Sequence, residues 1–153
     1  MISLLMGKNL TKTLEEYKVK IVTQLKDRLK NDNSVASGQL IRSIKGEVVG
    51  ETINIFASEY WYWVNYGRRP NQTPPPYSNI LDWMKNKNLH QEQKESAQKK
   101  IAYFIAKKIG IQGFQGTKFV DFVSKNIIAS LTKDVEESYL KDINEKLNGN
   151  TKT

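Results

Sequence analysis

Between residues 13 and 30 apolar side chains return at helical spacing: Leu14, Tyr17, Ile21, Leu25 and Leu29, with Val22 widening the stripe. Glu16, Lys20, Thr23 and Asp27 fall on the other sides. Thr13 with Glu16 three positions on reads as a capping box, which predicts a helix starting at Thr13, and Asn31-Asp32-Asn33-Ser34 ends it. From residue 35 the period changes. Ser37-Gly38 reads as a turn, Leu40, Ile41 and Ile44 open an apolar segment, residues 45–49 read as a strand and Gly50-Glu51 as a turn. Residues 52–57 then alternate, with Ile53, Ile55 and Ala57 to one side and Thr52, Asn54 and Phe56 to the other. This is a β-hairpin with one face to cover, and helix 13–30 is the expected lid.

The densest pattern follows at once, in Tyr60-Trp61-Tyr62-Trp63-Val64-Asn65-Tyr66-Gly67-Arg68-Arg69-Pro70. Each large aromatic can bury about 150–250 Å², so this run must face a core, a partner or both. As a strand it would show aromatics on both faces. As a helical turn it would stack Tyr62 on Tyr66 at i and i+4, beside Trp63. In either case Gly67 ends the element, because glycine alone takes a left-handed backbone freely, and Arg68-Arg69-Pro70 leaves as a loop. Tryptophan, tyrosine and arginine dominate binding energy at protein interfaces, which makes the run a candidate assembly surface.

Pro74-Pro75-Pro76 forces an extended loop, and Ser78 is placed to cap a short helix carrying Ile80, Leu81, Trp83 and Met84. The polar string 86–98 predicts an exposed loop that becomes helical near Lys94. Ile101, Phe104, Ile105, Lys108 and Ile109 mark a helix over 96–109, closed by Gly110. The stretch Gly110-Ile111-Gln112-Gly113-Phe114-Gln115-Gly116-Thr117 lacks the Gly-Lys-Ser/Thr ending of a phosphate loop and follows a helix, so it reads as a mobile loop with Phe114 as its one aromatic plug. Val123, Ile127, Leu131, Val135, Tyr139, Ile143 and Leu147 step by four. Each such step drifts by about 40° around a helix, so one straight helix cannot press them all on one core. Either the helix breaks near Thr132-Lys133-Asp134, with Thr132 as a new cap, or its far half packs on another surface.

Composition narrows the chemistry. The 153 residues suit one domain with a sizeable core. The expected organisation is an arm over 1–12, a single α+β domain over 13–147 and a disordered polar tail over 148–153. The apolar opening Met1-Ile2-Ser3-Leu4-Leu5-Met6 lacks the basic region and cleavage site of a signal peptide, and no stretch is long enough to span a bilayer. Without cysteine there is no disulfide and no cysteine zinc site. His90 is the only histidine and lies in the polar string, so the usual nucleophile–base pairs cannot be assembled. Glu47, Glu51, Glu59 and Asp82 show no spacing that marks a carboxylate-metal nuclease. The expectation is a non-enzyme without cofactor or metal.

The formal charge of +8 is uneven. Lys85, Lys87, Lys94, Lys99, Lys100, Lys107 and Lys108 stand against Glu92 and Glu95, while Asp134, Glu136, Glu137, Asp142 and Glu145 stand against Lys141. A basic and an acidic stretch on one small chain suit a DNA-facing surface or head-to-tail contact between copies. No helix–turn–helix, zinc finger or ribonucleoprotein motif is present, so any DNA contact would go mainly to phosphates.

In order, Ser37-Gly38-Gln39-Leu40-Ile41-Arg42-Ser43-Ile44, the strand ending in Ala57, the aromatic run to Gly67 with Arg68-Arg69-Pro70, Ile105-Ala106-Lys107-Lys108-Ile109 and Thr117-Lys118-Phe119 resemble the head–tail joining or tail-completion (neck) proteins of tailed bacteriophages. The resemblance covers roughly residues 13–130. It implies an α+β subunit, a small antiparallel sheet packed by helices with a long C-terminal helix, that forms a homo-oligomeric ring joining portal to tail. It implies a structural virion protein, assembled in the host cytoplasm, with the portal and tail or neck proteins as partners and no enzymatic activity. The subunit or partner contacts expected are Trp61, Trp63, Tyr66, Arg68, Arg69 and Phe114. Lys99, Lys100, Lys107 and Lys108 are expected to face packaged DNA or an acidic neighbour. The alternative is a sequence-independent nucleic-acid-binding protein.

Overall fold

The computed structural model describes residues 7–32 and 38–149. In chain order they form α1 (Lys8–Asn31), α2 (Gly38–Ser43), β1 (Lys45–Val49), β2 (Thr52–Phe56), α3 (Trp61–Tyr66), β3 (Gly67–Arg68), α4 (Tyr77–Asn86), α5 (Glu95–Gln112), β4 (Phe114–Gln115) and α6 (Phe119–Gly149). Two separate two-stranded antiparallel pairings, β1–β2 and β3–β4, accompany six helices among the described residues, so the fold class is α+β with a long C-terminal helix. The chain divides into two compact units: the described parts of Met1–Leu25, Lys45–Phe56 and Val120–Thr153, and those of Lys26–Ile44 and Ala57–Phe119.

In the first unit, the β-hairpin pairs Lys45 with Phe56 through Val49 with Thr52, and Gly50 turns it at φ 59°. Gly46 lies against Lys18 and Val22 of α1, so α1 does cover the hairpin face that carries Gly46 and its partner Ile55. Leu10, Leu14, Tyr17, Leu25, Val123 and Ile127 are the buried apolar positions of this unit.

The contact between α1 and α6 changes character along its length. Where the sequence pattern offers Tyr139, Ile143 and Leu147, the residues that turn inward are Ser138 and Asp142. The Tyr17 hydroxyl donates to Asp134 Oδ2 at 2.6 Å, Thr13 Oγ1 meets Ser138 Oγ at 2.6 Å, and Asp142 accepts from the Leu10 amide at 2.9 Å and the Asn9 amide at 3.0 Å. Asp142 thereby caps α1 from another helix, satisfying amides that the first helical turn leaves open. Gly7 leaves room for this, because a Cβ there would overlap the Asp142 carboxylate.

Several expected boundaries move as a result. Helix α1 begins at Lys8, not Thr13, so residues 8–12 of the expected arm are helical; residues 1–6 lie outside the described residues. Thr13 sits inside the helix and spends its hydroxyl on Ser138 rather than on a capping box. Helix α6 is unbroken, and Thr132 bonds back to the Ile128 carbonyl at 2.8 Å instead of capping a new helix. The drifting stripe leaves the unit's core, and Tyr139, Ile143 and Leu147 stand exposed. The tail expected over 148–153 is helical to Gly149, and 150–153 lie outside the described residues.

In the second unit Ile80 and Met84 of α4 pack on Ala102 and Ala106 of α5, with Leu81, Trp83, Ile101, Ile105 and Ile109 around them. The small alanines let the two helices approach closely. The apolar segment at Leu40 is the short helix α2, whose Ser43 hydroxyl accepts from the Ser58 amide at 2.9 Å. Helix α4 starts at Tyr77 straight after Pro76, which has no amide to cap, so Ser78 is a helical residue and not the cap.

Burial disfavours the charged form of Asp142, but the bonds from Leu10 and Asn9, with Lys146 nearby, outweigh it and hold the carboxyl below its ordinary value of 3.8. Folding lowers this pKa, so its contribution is complete above the unfolded value and is lost as pH falls through the folded one. Asp142→Ala is expected to cost about 1–2 kcal/mol in denaturant unfolding at pH 7. The gap to wild type should narrow as pH drops below about 4; a gap that stays constant down to pH 2 would contradict the cap.

Candidate functional site

The aromatic run is helical. Helix α3 begins after Tyr60 and lasts to Tyr66, and its rings form one cluster: Tyr62 lies 4.8 Å from Tyr66, Trp61 6.0 Å from Tyr62 and 6.2 Å from Tyr66, and Trp63 5.5 Å edge-on to Tyr62. Two cations cover it. The Arg68 guanidinium sits 4.4 Å from the Trp63 ring centre and Lys118 Nζ 5.1 Å from that of Tyr66. Each such contact contributes about 0.5–1 kcal/mol where exposed. Val64 and Asn65 face inward and are buried, whereas Tyr62 and Tyr66 keep about half of their surface in solvent, at 50% and 46%.

What holds the cluster is backbone. Residues 64–72 run antiparallel to residues 110–118, from Lys118 and Thr117, whose amides donate to Asn65 and Val64 at 3.0 and 2.9 Å, to Asn71 and Gln72, whose amides donate to Ile111 and Gly110 at 3.1 and 2.9 Å. In the middle Gly67 pairs with Gln115 and Arg68 with Phe114. Glycine makes this approach possible. Gly67 at φ 78° and Gly113 at φ 68° use backbone open to glycine alone, and a Cβ on either would overlap the opposite chain's carbonyl oxygen, that of Phe114 or Arg68. Gly116 is crowded in the same way by the Asn65 carbonyl.

The segment 110–117 is therefore not the mobile loop expected, and Gly110 does not close α5. Gly110 is a buried helical residue under Pro74 and the Gln72 carbonyl, and α5 runs on to Gln112. Two residues at the ends of the pairing, Asn71 and Lys118, also have positive φ, at 58° and 56°. A lysine in that region is strained by about 1 kcal/mol, and it is held there with its ammonium over Tyr66.

Of the expected contact residues, the structure brings Trp61, Trp63, Tyr66 and Arg68 into one cluster. Phe114 is the strand partner of Arg68 and is half-buried, and Arg69 is exposed beside them. Arg68 also donates to the Thr73 carbonyl, which ties the loop before the prolines. Tyr60, half-buried, stands just before α3; desolvation pushes its phenol up to about 12 against the opposing charge of Arg68. Sequence reading missed two members of the site, Tyr62 and Lys118. The i, i+4 stack on Tyr66 was a signal for the first, and nothing local marks the second.

No family model, curated protein or solved structure matches this chain. Its site is therefore read from its own geometry.

The lysines lie elsewhere in the same unit. Lys99 and Lys100 rim a shallow apolar groove of about 580 Å³ with Tyr77, Tyr103 and Phe104, and Lys99 pairs with Glu95 at 3.0 Å. Lys107 and Lys108 are exposed about two turns further along α5. His90 sits exposed in the turn before α5. Glu47 and Glu51 lie on the hairpin, Glu59 before α3 and Asp82 on α4. Among the described residues no group of three or more acidic or histidine side chains is placed to hold a metal ion, and no helix is long and apolar enough to cross a membrane.

Gly67→Ala and Gly113→Ala should each destabilise by more than about 2 kcal/mol, since strain adds to a backbone overlap. Gly50→Ala, at φ 59° with nothing within 4 Å, should cost only the strain, about 1–2 kcal/mol. Thermal unfolding of the three variants compares them, and equal losses at all three positions would contradict the close pairing.

Proposed function

We propose that the chain is a structural virion protein of a tailed bacteriophage, forming a ring in the neck that joins portal to tail, and that it carries no catalytic activity. One observation supports this above the others: four aromatic rings with two stacked cations stand half-exposed on a backbone pairing that fixes them before any partner arrives. Exposed tryptophan, tyrosine and arginine cost little further ordering when they bind, which is what a contact surface needs. The patch faces a neighbouring subunit or neck protein. The order of sequence features shared with neck proteins supplies the rest of the reading.

A second reading is a sequence-independent nucleic-acid-binding protein. It is favoured by cations stacked on exposed rings, since bases stack on such platforms and phosphates follow the cations.

Light scattering on the protein alone and mixed with the portal protein of the same genome separates the two. The neck reading predicts a ring, or a monomer that joins the portal assembly, and it predicts that Trp63→Ala or Arg68→Ala weakens binding to the portal assembly by about 30-fold or more. A monomer that ignores the portal and binds DNA with an affinity falling steeply with salt would contradict it.

A further inference from the structure

Helix α5 turns Ala102 and Ala106 inward and leaves an outer face of Lys100, Phe104, Lys107 and Ile111, which follow one another at intervals of four, three and four. Helix α6 carries the same intervals in Glu136, Leu140, Ile143 and Leu147, on the side of the helix away from the buried Ser138 and Asp142. Alternating intervals of three and four keep side chains in one line and are the seam along which two helices pack. Both lines are in solvent: Phe104 is 65% exposed and Ile111 56%, Leu140 60% and Leu147 62%. Apolar ridges left this open mark interaction surfaces.

Their charges differ. Lys100, Lys107 and Lys108 make no ion pair among the described residues, whereas Glu136 heads the α6 line and Glu137, 4.0 Å from Lys133 Nζ, flanks it. On the α5 side the shallow groove between Tyr77, Tyr103 and Phe104 offers a seat for a leucine or isoleucine ridge.

We infer that α5 of one copy packs on α6 of the next, the lysines of one line meeting the glutamates of the other. The inference rests on the ring reading and supplies its copy-to-copy contact. The two faces differ, so the contact is heterologous: each added copy leaves one α5 and one α6 open until the ring closes. Nucleic acid is a poorer occupant of either face, because Phe104 and Ile111 on α5 need apolar cover and Glu136 on α6 repels phosphate. The aromatic patch on α3 is then left for a different protein of the neck.

Phe104→Glu and Leu140→Glu test this by sedimentation velocity, with circular dichroism and thermal midpoint confirming that both exposed positions tolerate the change. Wild type should associate with rising concentration, and each variant alone should associate at least about 30-fold more weakly. An equal mixture of the two should form a heterodimer and stop there, since it retains one intact α5 and one intact α6 while the two altered, negative faces repel. Variants that assemble like wild type would overturn the contact while leaving the ring reading standing. A mixture without heterodimer would overturn it as well, and so would a wild type that stays monomeric to millimolar concentration; portal binding then decides the neck reading separately. Loss of single-stranded oligonucleotide binding in Phe104→Glu, with assembly unchanged, would give the α5 face to nucleic acid instead.

Discussion

Two stretches of backbone approach so closely in the second unit that a single added methyl group at Gly67 or Gly113 would meet a carbonyl oxygen. Almost everything at the candidate site depends on that approach. It ends α3 at Tyr66, turns the chain so that Arg68 returns over Trp63, and brings Lys118 from far along the chain to Tyr66. The short pairing of β3 with β4 is small as a sheet, but the amide bonds on both sides of it extend the register from Val64 to Gln72. A patch supported in this way is pre-organised, and little conformational entropy remains to be lost when a partner covers it.

The first unit solves a different problem. Its long helix cannot keep an apolar stripe on one line, since a step of four residues drifts about 40° per turn. Its inner line continues instead through Asp134, Ser138 and Asp142, each matched by a polar group of α1. The apolar residues that drift away, Tyr139, Ile143 and Leu147, are exposed, and Ile143 and Leu147 with Leu140 beside them form an outer ridge headed by Glu136. Polar matching inside and apolar exposure outside are thus two results of one periodicity.

Much of this was legible in the sequence. The first helix and its hairpin, the extended proline loop, the helix beginning near Lys94 and the end of the aromatic run at Gly67 follow from local period and turn chemistry. The aromatic run is compatible with a strand or with a helical turn that sets Tyr62 on Tyr66, and the structure takes the helical form. The glycine stretch 110–117 was not legible, because its order comes from a partner segment some fifty residues away and not from its own propensity. Thr13 and Ser78 failed as caps for a related reason. Each has the right chemistry, yet Asp142 and Pro76 set those helix starts, one through a tertiary contact and one through a missing amide. Lys118 joined the site by the same long-range pairing, which no local pattern announces.

The proposed function rests on three surfaces: a rigid aromatic–cation patch, a basic helical ridge and a ridge headed by Glu136. All three depend on backbone order, and the most demanding instance is the glycine-mediated pairing. Amide hydrogen exchange resolved at Asn71, Gln72, Thr117 and Lys118 tests it most directly. These four amides should exchange as slowly as those in the middle of α5, because they donate to carbonyls across the pairing. Exchange at the rate of the exposed turn around His90 would mean that the segment is a free loop and that the patch has no fixed support.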